Sequence, residues 1–315
     1  MTPPRRILLL HFGQLGDAVL ALPAARALRQ HFPQAALTVL AARGPHAVFQ
    51  MAGFSPLLAA DRVRWKHHPA AAALEIPRLL FHLRRRRFDL SVDLHSYKET
   101  NWLAFLAGIP ERVAMLRPTR SVPSLINRQP PPDDPHAPLL ARYCQVLAPL
   151  GIEVADRVPY LDPPPARLPD LPPGPILGIC PGAGHPGRRW PADRFAQLIA
   201  PFSPAAHVLV FAGPEETAAQ LAPLASLPRV HIWRGLSLSE LAAALQLCRV
   251  VVSNPTGPAH LAAAVGARVL VLGEIPAFDP VPRPPGQVAV VRAHGAVANL
   301  TVAAAAPALD QLWQA

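Results

Sequence analysis

Short apolar runs alternate with helical patterns along the chain, and this alternation limits the fold more than any other feature. Strands that alternate with helices at such spacing form parallel sheets with helices on both faces. In the first half the apolar runs occupy 7–12, 36–41 and 90–94. One helical pattern follows the turn at 13–17 and runs through about His31, and others lie near 70–86, 98–107 and 137–150. In the second half the runs occupy 176–180, 206–211, 230–232, 250–252 and 269–272, and helical patterns lie at 191–201, 215–226, 237–247, 258–266 and 299–314.

A proline-rich stretch, DPPPARLPDLPPGP at 162–175, separates the two series. The 315 residues leave room for two domains of roughly 150 residues each. We therefore predict two doubly wound α/β domains that face each other across a cleft at the carboxyl ends of their strands. The predicted bounds are 1–162 for the N-terminal domain, 163–175 for the linker, 176–298 for the C-terminal domain, and 299–315 for a terminal helix that packs back on the N-terminal domain.

The formal net charge is +10, and Lys66 and Lys98 are the only lysines. This excess of arginine fits an anionic partner such as a phosphate, an acidic glycolipid or a membrane surface. Genomic composition alone also accounts for it. The sequence shows neither zinc-ligand spacing nor an RNA-binding pattern of aromatic residues and glycines, so we expect no nucleic-acid partner.

The three cysteines, Cys144, Cys180 and Cys248, are far apart and odd in number, which favours a reducing compartment over a disulfide framework. No apolar window reaches the ~18–20 residues of a membrane span. The run at 7–12 is also too short for the core of a signal peptide. We expect a cytoplasmic protein with peripheral contact at the inner membrane surface.

The first candidate site is GQLGD at 13–17, between a strand and a helix. Glycines at such a turn allow a tight bend and let a ligand approach the helix N-terminus. Asp17 fits two roles, an acid that stabilises the start of the helix and a general base at the carboxyl end of a strand. The residues alone leave both roles open.

A second candidate is CPGAGHPGRRWPADRF at 180–195, where a strand pattern ends in a glycine-rich turn. Backbone N–H groups near Gly182, Ala183 and Gly184 can hold phosphate oxygens. Arg188 and Arg189 add guanidinium groups that pair with phosphate. Two solvated arginines in an ordinary loop are the alternative.

The third candidate is VVSNPTGPAHLAAAVG at 251–266. Thr256 and Gly257 precede a helix that Pro258 can start, and the free N–H groups of that helix start form an anion site. His260 is either a structural residue or a hydrogen-bond donor to a diphosphate. His95, after the run at 90–94, either lines the cleft or ends a strand. We expect no metal site, because the sequence has no Asp-x-Asp pair, and it also has no P-loop or nucleophile motif.

Three of these segments together resemble one family, the family 9 glycosyltransferases, whose best-known members are the lipopolysaccharide heptosyltransferases. The resemblance rests on their order and spacing and extends to a weaker segment, VDLHSYKETNWLAFLAGIPERVAM. The three segments are LLLHFGQLGDAVLALPAARALRQHFP, CPGAGHPGRRWPADRF and RGLSLSELAAALQLCRVVVSNPTGPAHLAAAVGARVLVLG.

This resemblance implies a GT-B fold, with the acceptor on the N-terminal domain and the nucleotide-sugar on the C-terminal one. It also implies ADP-heptose as donor substrate, inversion at the anomeric carbon, and no metal or other cofactor. Asp17 falls on the catalytic base of the family, Arg188 on a diphosphate-binding lysine, and Leu236 in the segment that touches the nucleotide base. Thr256, Gly257 and His260 fall on the diphosphate-binding motif.

The chain departs from the family pattern at two places. Pro255 replaces the aspartate of Asn-Asp-Thr-Gly, a residue that we expect to contact the donor sugar. Gly273-Glu274-Ile275-Pro276 replaces Phe-Gly-Pro-Thr, and Glu274 or Asp279 is a candidate substitute for the missing carboxylate.

For the acceptor we expect an acidic saccharide or glycolipid, either a lipopolysaccharide core or another surface glycan. The alternatives are a catalytically impaired nucleotide-sugar-binding protein, which Pro255 favours, and a GT-B epimerase. The candidate acceptor-binding residues are Gly16, His95, Arg62, Arg64, Arg112 and Arg120.

Overall fold

The structure is a computed structural model that describes residues 3–171, 173–273, 280–293 and 295–315. The chain divides into two compact units, Met1–Pro159 and Tyr160–Ala315. The boundary thus lies just before the proline-rich stretch, which we expected to link the domains and which belongs to the second unit. Near its start, the Leu161 N–H donates to the Ala264 carbonyl at 2.8 Å.

The first unit contains a parallel sheet of five strands in the order β3-β2-β1-β4-β5. The order reverses beside β1, which pairs with both β2 and β4 (Ile7 lies opposite Leu37 and Leu90). Ligands of such sheets bind outside the carboxyl ends of the strands at this reversal. The strands are β1 (Arg6–His11), β2 (Ala36–Ala42), β3 (Leu57–Ala60), β4 (Leu90–Asp93) and β5 (Glu111–Ala114).

The helices of this unit alternate with its strands. They are α1 (Leu15–His31), α2 (His46–Met51), α3 (Arg62–His67), α4 (Pro69–Arg86), α5 (Lys98–Leu106) and α6 (Leu139–Gln145). Helix α1 buries Ala18, Val19 and Leu22 completely. The pattern at 137–150 forms only the short helix α6 and a 3₁₀ turn at Ala148–Leu150.

The second unit has a parallel sheet of six strands in the order β11-β10-β9-β6-β7-β8. Here the order reverses between β6 and β9, so the segments that follow these two strands meet at the expected ligand position. The strands are β6 (Ile176–Cys180), β7 (His207–Ala212), β8 (Val230–Arg234), β9 (Val250–Ser253), β10 (Arg268–Gly273) and β11 (Val288–Arg292). The helices are α7 (Ala192–Ile199), α8 (Ala218–Ala225), α9 (Leu238–Leu247), α10 (Gly257–Ala264) and α11 (Val302–Gln314).

The terminal helix α11 differs from our expectation in its packing partner. Ala305, Leu309 and Leu312 on this helix are buried in the hydrophobic core of the second unit, where α11 contacts α7 and strands β9–β11. The apolar face of the terminal helix therefore packs in the core of the C-terminal unit. Within the described residues, no helix has the length and apolar character needed to cross a membrane.

Candidate active site

Asp17 lies in the first turn of α1, at the carboxyl end of β1. Its Oδ2 accepts the Gln14 N–H at 2.9 Å, so the carboxylate stabilises the helix start, one of the two roles that we considered. The neighbouring Gly16 is buried, whereas Asp17 itself is half-buried. One oxygen held by the backbone fixes the orientation of the whole carboxylate at the sheet reversal.

Gly13 makes this position of Asp17 sterically accessible. A Cβ atom on residue 13 would lie 2.7 Å from Asp17 Oδ2 and 2.9 Å from His11 Cε1. These distances are well inside van der Waals contact, so any other residue at 13 would displace the carboxylate or the imidazole.

Buried aromatic side chains lie beside Asp17. The His11 ring is fully buried, with ring centroids 5.6 Å from His95 and 5.8 Å from Tyr143, and His95 Nδ1 lies 3.0 Å from Tyr143 Oη. Burial lowers the pKa of His11 to about 3 and that of His95 to about 2. Burial and then the nearby charge of Asp17 raise the pKa of Tyr143 well above its usual value. All three groups are therefore uncharged at neutral pH.

Asp93 fixes the loop that carries His95. Its Oδ1 accepts the backbone N–H groups of His95 at 3.2 Å and Ser96 at 2.7 Å, and its Oδ2 accepts the Thr100 hydroxyl. Burial raises the pKa of Asp93 to about 6, and these hydrogen bonds oppose the rise. Asp93 is not among the site residues predicted from the sequence, although a carboxylate that ends a buried strand is a recognisable signal.

The structure brings two of the four candidate acceptor arginines together. The Cζ atoms of Arg62 and Arg120 lie 3.6 and 5.7 Å from the centre of the Tyr97 ring. Arg64 instead pairs with Glu75 at 3.0 Å.

Arg112 is the fourth candidate, and its side chain holds backbone of its own unit. It donates to the carbonyls of Leu125, Ile109 and Pro110. The structure therefore places neither Arg64 nor Arg112 beside Tyr97.

In the second unit, the glycine-rich turn after β6 packs against a carboxylate. A Cβ atom on Gly182 would lie 2.9 Å from both Glu216 carboxylate oxygens, and Glu216 Oε2 accepts the Gly213 N–H at 2.7 Å. The sequence predicts only phosphate binding at the backbone of Gly182. The structure shows that it also makes room for Glu216, a residue that the sequence did not mark.

The two arginines of this turn have different surroundings. Arg189 donates from Nε to the Ala183 carbonyl at 2.9 Å and from Nη2 to Glu215 Oε2 at 2.6 Å, so it braces the turn next to Gly184. Arg188 is exposed, and no carboxylate lies within 4 Å of its side chain in the described part of the chain. Of the two, Arg188 has the guanidinium that is available to an anion.

Asn254 joins the two candidate phosphate segments and was missed as a functional residue. It is fully buried; its Oδ1 accepts the Trp190 N–H at 3.1 Å, and its Nδ2 donates to the Pro181 carbonyl at 2.7 Å. One side chain from the β9 end thus holds both ends of the turn that follows β6. We call segments 181–190 and 253–260 the paired loops.

Helix α10 begins directly after these bonds, with Thr256 as N-cap and Gly257 as the first helical residue. The N–H groups of a helix start and the helix dipole favour an anion there. His260 is buried, and burial lowers its pKa to about 4, so the ring is neutral at pH 7. Leu236 is half-buried in the turn between β8 and α9.

Pro255 is buried against the end of β10. A Cβ atom on Gly273 would lie 2.7 Å from Pro255 Cγ and 3.0 Å from its Cδ. The two departures from the family pattern therefore touch, since a side chain at 273 and a proline ring at 255 compete for one space. The candidate substitutes Glu274 and Asp279 lie outside the described residues.

Among the described residues there is no group of three or more His, Cys, Asp or Glu side chains that is placed to hold a metal ion.

The model of glycosyltransferase family 9 (heptosyltransferase) matches residues 76–272. No curated protein sequence matches the chain significantly.

Among solved structures, a family 9 glycosyl transferase from Veillonella parvula has a TM-score of 0.81 at 19% identity, over 98% of this chain and 97% of that one. The heptosyltransferase WaaC of E. coli, solved with ADP-2-deoxy-2-fluoro heptose, has a TM-score of 0.78 at 18% identity, over 97% and 99%. The E. coli ADP-heptose lps heptosyltransferase II has a TM-score of 0.73 at 21% identity, over 98% of each chain. The described fold is thus that of GT-B heptosyltransferases.

Proposed function

The chain belongs to glycosyltransferase family 9, whose model covers residues 76–272, and from this premise we propose that it is an inverting, metal-independent enzyme that transfers heptose from ADP-heptose. The acceptor is an acidic saccharide or glycolipid of the lipopolysaccharide-core type or another surface glycan. We place the reaction in the cytoplasm, at the inner membrane surface, in agreement with three free and buried cysteines.

The position of Asp17 carries this proposal. A carboxylate at the reversal of a Rossmann-like sheet, oriented by the Gln14 N–H and seated against Gly13, suits a general base. In the proposed step, Asp17 accepts the proton of the acceptor hydroxyl while that oxygen attacks the anomeric carbon. The bond from this carbon to the diphosphate oxygen breaks, and its electron pair leaves with ADP.

The paired loops provide the hydrogen-bond donors and the positive charge that bind the departing diphosphate. Arg188 supplies a guanidinium that has no carboxylate partner among the described residues, and the α10 start at Thr256 and Gly257 supplies backbone N–H groups. Donors fixed before the reaction stabilise charge that develops in the transition state without further reorganisation. Neutral His260 acts in this scheme as a hydrogen-bond donor and adds no charge.

Pro255 is expected to change how this chain recognises the donor sugar. A proline ring packed on Gly273 offers no hydrogen bond to a sugar hydroxyl. Recognition of heptose must then come from other residues, and the nucleotide half of the donor supplies most of the affinity.

Calorimetric titration tests the donor. We expect ADP to bind in the presence of a chelator, ADP-heptose to bind more tightly, and GDP and UDP to bind more weakly. Preference for another nucleotide would overturn the choice of donor, and a requirement for a divalent cation would overturn metal independence.

Product formation by Asp17→Asn tests the base. A positioned base contributes ~100–10,000-fold to the rate, so turnover should fall by about that factor while ADP affinity is retained. Glu240→Gln is the matched control, because Glu240 Oε2 accepts the Ser237 N–H at 2.7 Å in the same capping position of α9. Equal turnover of the two variants would show that Asp17 only caps its helix.

Pro255 also favours one other function, a protein that binds nucleotide-sugars without transferring them. That alternative predicts ADP binding with no glycoside formed from any donor and acceptor. An epimerase of the same fold would instead convert the nucleotide-sugar with no acceptor present.

A further inference from the structure

Helix α4 presents a solvent-exposed stripe of apolar and basic side chains. Leu74, Arg78, Phe81 and Arg85 follow one another at spacings of four, three and four residues, which places them on one face of the helix. All four are exposed, Leu74 by 53% and Phe81 by 57%. The opposite face of α4 provides Leu83 to the core of the first unit.

Helix α5 presents a second such face. Lys98, Trp102, Phe105 and Leu106 are spaced for one side of this helix and are exposed, Trp102 by 47%. Of the eight large hydrophobic side chains that are exposed in the described residues, five lie on α4 and α5. Such clustering marks an interaction site, whereas single exposed apolar residues are ordinary.

The two faces adjoin at Arg84. Its Nε donates to the Leu106 carbonyl at 2.9 Å, which ties the end of α4 to the end of α5. An open cavity of about 640 Å³ lies beside this bond, lined by Arg6, Phe81, Arg84, Arg85 and Arg87. We call these lining residues, together with Leu74, Arg78, Lys98, Trp102, Phe105 and Leu106, the basic–aromatic surface.

The arginines of this surface have no anionic partner within the described part of the chain. None of the guanidinium groups of the cavity arginines lies within 4 Å of a carboxylate oxygen of the described residues. Asp89 bonds the backbone of this region and not its guanidinium groups, because its Oδ2 accepts the backbone N–H groups of Arg5 and Arg6, each at 2.8 Å. Four guanidinium groups around one open cavity therefore favour an external anion.

We propose that the basic–aromatic surface docks on a bilayer that contains anionic phospholipids. Arginine pairs with lipid phosphate, juxtamembrane basic residues are attracted to anionic leaflets, and Trp and Phe insert at the headgroup level. A soluble polyanion would engage the arginines but would leave the five apolar side chains in water. The proposal rests on the proposed function, since it brings the acceptor-side unit to a glycolipid.

Flotation of the full-length protein with vesicles tests the docking. We expect binding to phosphatidylcholine vesicles that contain 30% phosphatidylglycerol in 0.1 M NaCl, and much weaker binding to phosphatidylcholine alone. Higher salt should weaken the binding, because the charges are solvent-exposed. Absence of binding to the anionic vesicles would overturn the proposal.

A matched pair of triple variants locates the surface. Arg84→Gln/Arg85→Gln/Arg87→Gln should lower the partition coefficient about 100-fold, whereas Arg43→Gln/Arg229→Gln/Arg292→Gln should change it by less than about threefold. Both remove three charges from a formal +10. Arg87 and Arg229 both have positive φ, at 47° and 55°, so backbone strain is matched as well. Equal losses in the two variants would assign binding to net charge and overturn this surface.

Trp102 gives a readout that does not depend on the arginines. Its emission should shift to the blue and be quenched by brominated lipid when anionic vesicles are added, and Trp102→Phe should abolish most of that change. The exposed Phe81→Ser substitution should weaken binding without unfolding the chain. An unchanged Trp102 signal in bound protein would show that another face touches the lipid.

Vesicle binding is measured without substrate, so its failure would overturn the docking alone. Failure of ADP to bind would overturn the proposed function alone. Binding to heparin but not to anionic vesicles would assign the surface to a soluble polyanion and would also overturn the docking.

Discussion

Gly13 determines where the Asp17 carboxylate can lie. Its replacement by alanine tests whether that position is needed for turnover. Gly13→Ala would place a Cβ atom 2.6 Å from Asp17 Cβ and 2.7 Å from Asp17 Oδ2, so the turn or the start of α1 must shift and the carboxylate moves with it. A displacement of about 1 Å in a catalytic group costs on the order of 100-fold in rate. We expect turnover to fall by about that factor, with ADP affinity unchanged, in steady-state kinetics and calorimetry.

Gly44→Ala is the control for this substitution. No atom lies within 4 Å of a Cβ built on Gly44, and its φ is not positive. Wild-type turnover in Gly13→Ala would mean that the position of Asp17 does not limit the reaction.

Pro255 and Gly273 form a second close contact, which can be tested by adding a single Cβ atom at residue 273. Gly273→Ala would press a Cβ atom against Pro255 Cγ, and overpacking of this kind costs about 1–3 kcal/mol. The Pro255→Ala variant lacks Cγ and Cδ, so in that background Gly273→Ala should lower the free energy of unfolding by less. Urea unfolding of the two single variants and the double variant should give a coupling energy of about 1 kcal/mol or more. Additive effects would refute the contact.

Asp17 also shows what sequence alone could resolve at the residue scale. Its position between a strand and a helix follows from the pattern at 7–17, and its capping bond to Gln14 agrees with one of its two expected roles. Glu216 and Asn254 could not be found in this way, because their roles depend on contacts with Gly182 and Trp190 that are remote in sequence.

Among the structural elements, the paired loops depend on Asn254, which holds the turn after β6 to the end of β9. Asn254→Ala would leave the Trp190 N–H and the Pro181 carbonyl without their partner in a buried place, and such groups cost about 1–3 kcal/mol each. We expect lower stability in urea and weaker ADP binding in calorimetry, because Arg188 and the α10 start would lose their common support.

Asn127→Ala provides the matched control. Asn127 Oδ1 accepts the Arg112 N–H and its Nδ2 donates to the Pro110 carbonyl, the same bonding pattern in an exposed loop of the first unit. This variant should retain ADP affinity. An equal loss in both variants would show that the effect of Asn254 is not specific to the paired loops.

The strands that sequence missed share a physical reason. β3, β5 and β11 are edge strands of their sheets, and none of them is buried along its whole length. Central strands such as β1 and β9 are buried on both faces and show continuous apolar runs, which is why the pattern revealed them. The edge strand β8 was nevertheless predicted, although it is only partly buried, because Val230 and Ile232 mark it. Burial therefore explains the detection of the central strands.

For the whole molecule, three buried histidines link stability to pH. Burial lowers the pKa of His11 to about 3, of His95 to about 2 and of His260 to about 4, whereas each titrates near 6.5 when unfolded. Below about pH 6.5 the unfolded chain thus binds protons that the folded chain does not, and stability falls as pH falls. Asp93 opposes this between about pH 4 and 6, because its pKa is raised to about 6.

With three histidines against one carboxyl group, we expect a net loss of unfolding free energy from pH 6.5 to 4. The loss is at most about 1.4 kcal/mol per pH unit for each histidine. Urea unfolding at pH 7.5, 6 and 5 measures it, and His11→Leu should show a shallower slope than the wild type. A flat profile would mean that these imidazoles are protonated in the folded state.

Arg87, the left-handed residue that ends α4, has a consequence for how such a chain can evolve. Glycine adopts its φ of 47° without steric cost, whereas another residue is strained there by roughly 1–2 kcal/mol. Arg87→Gly should therefore raise the melting temperature while it removes one positive charge from the cavity beside Phe81. At this position, glycine would favour thermal stability, whereas arginine would favour the proposed binding to anionic lipid. The chain has arginine, the residue that is less favourable for thermal stability.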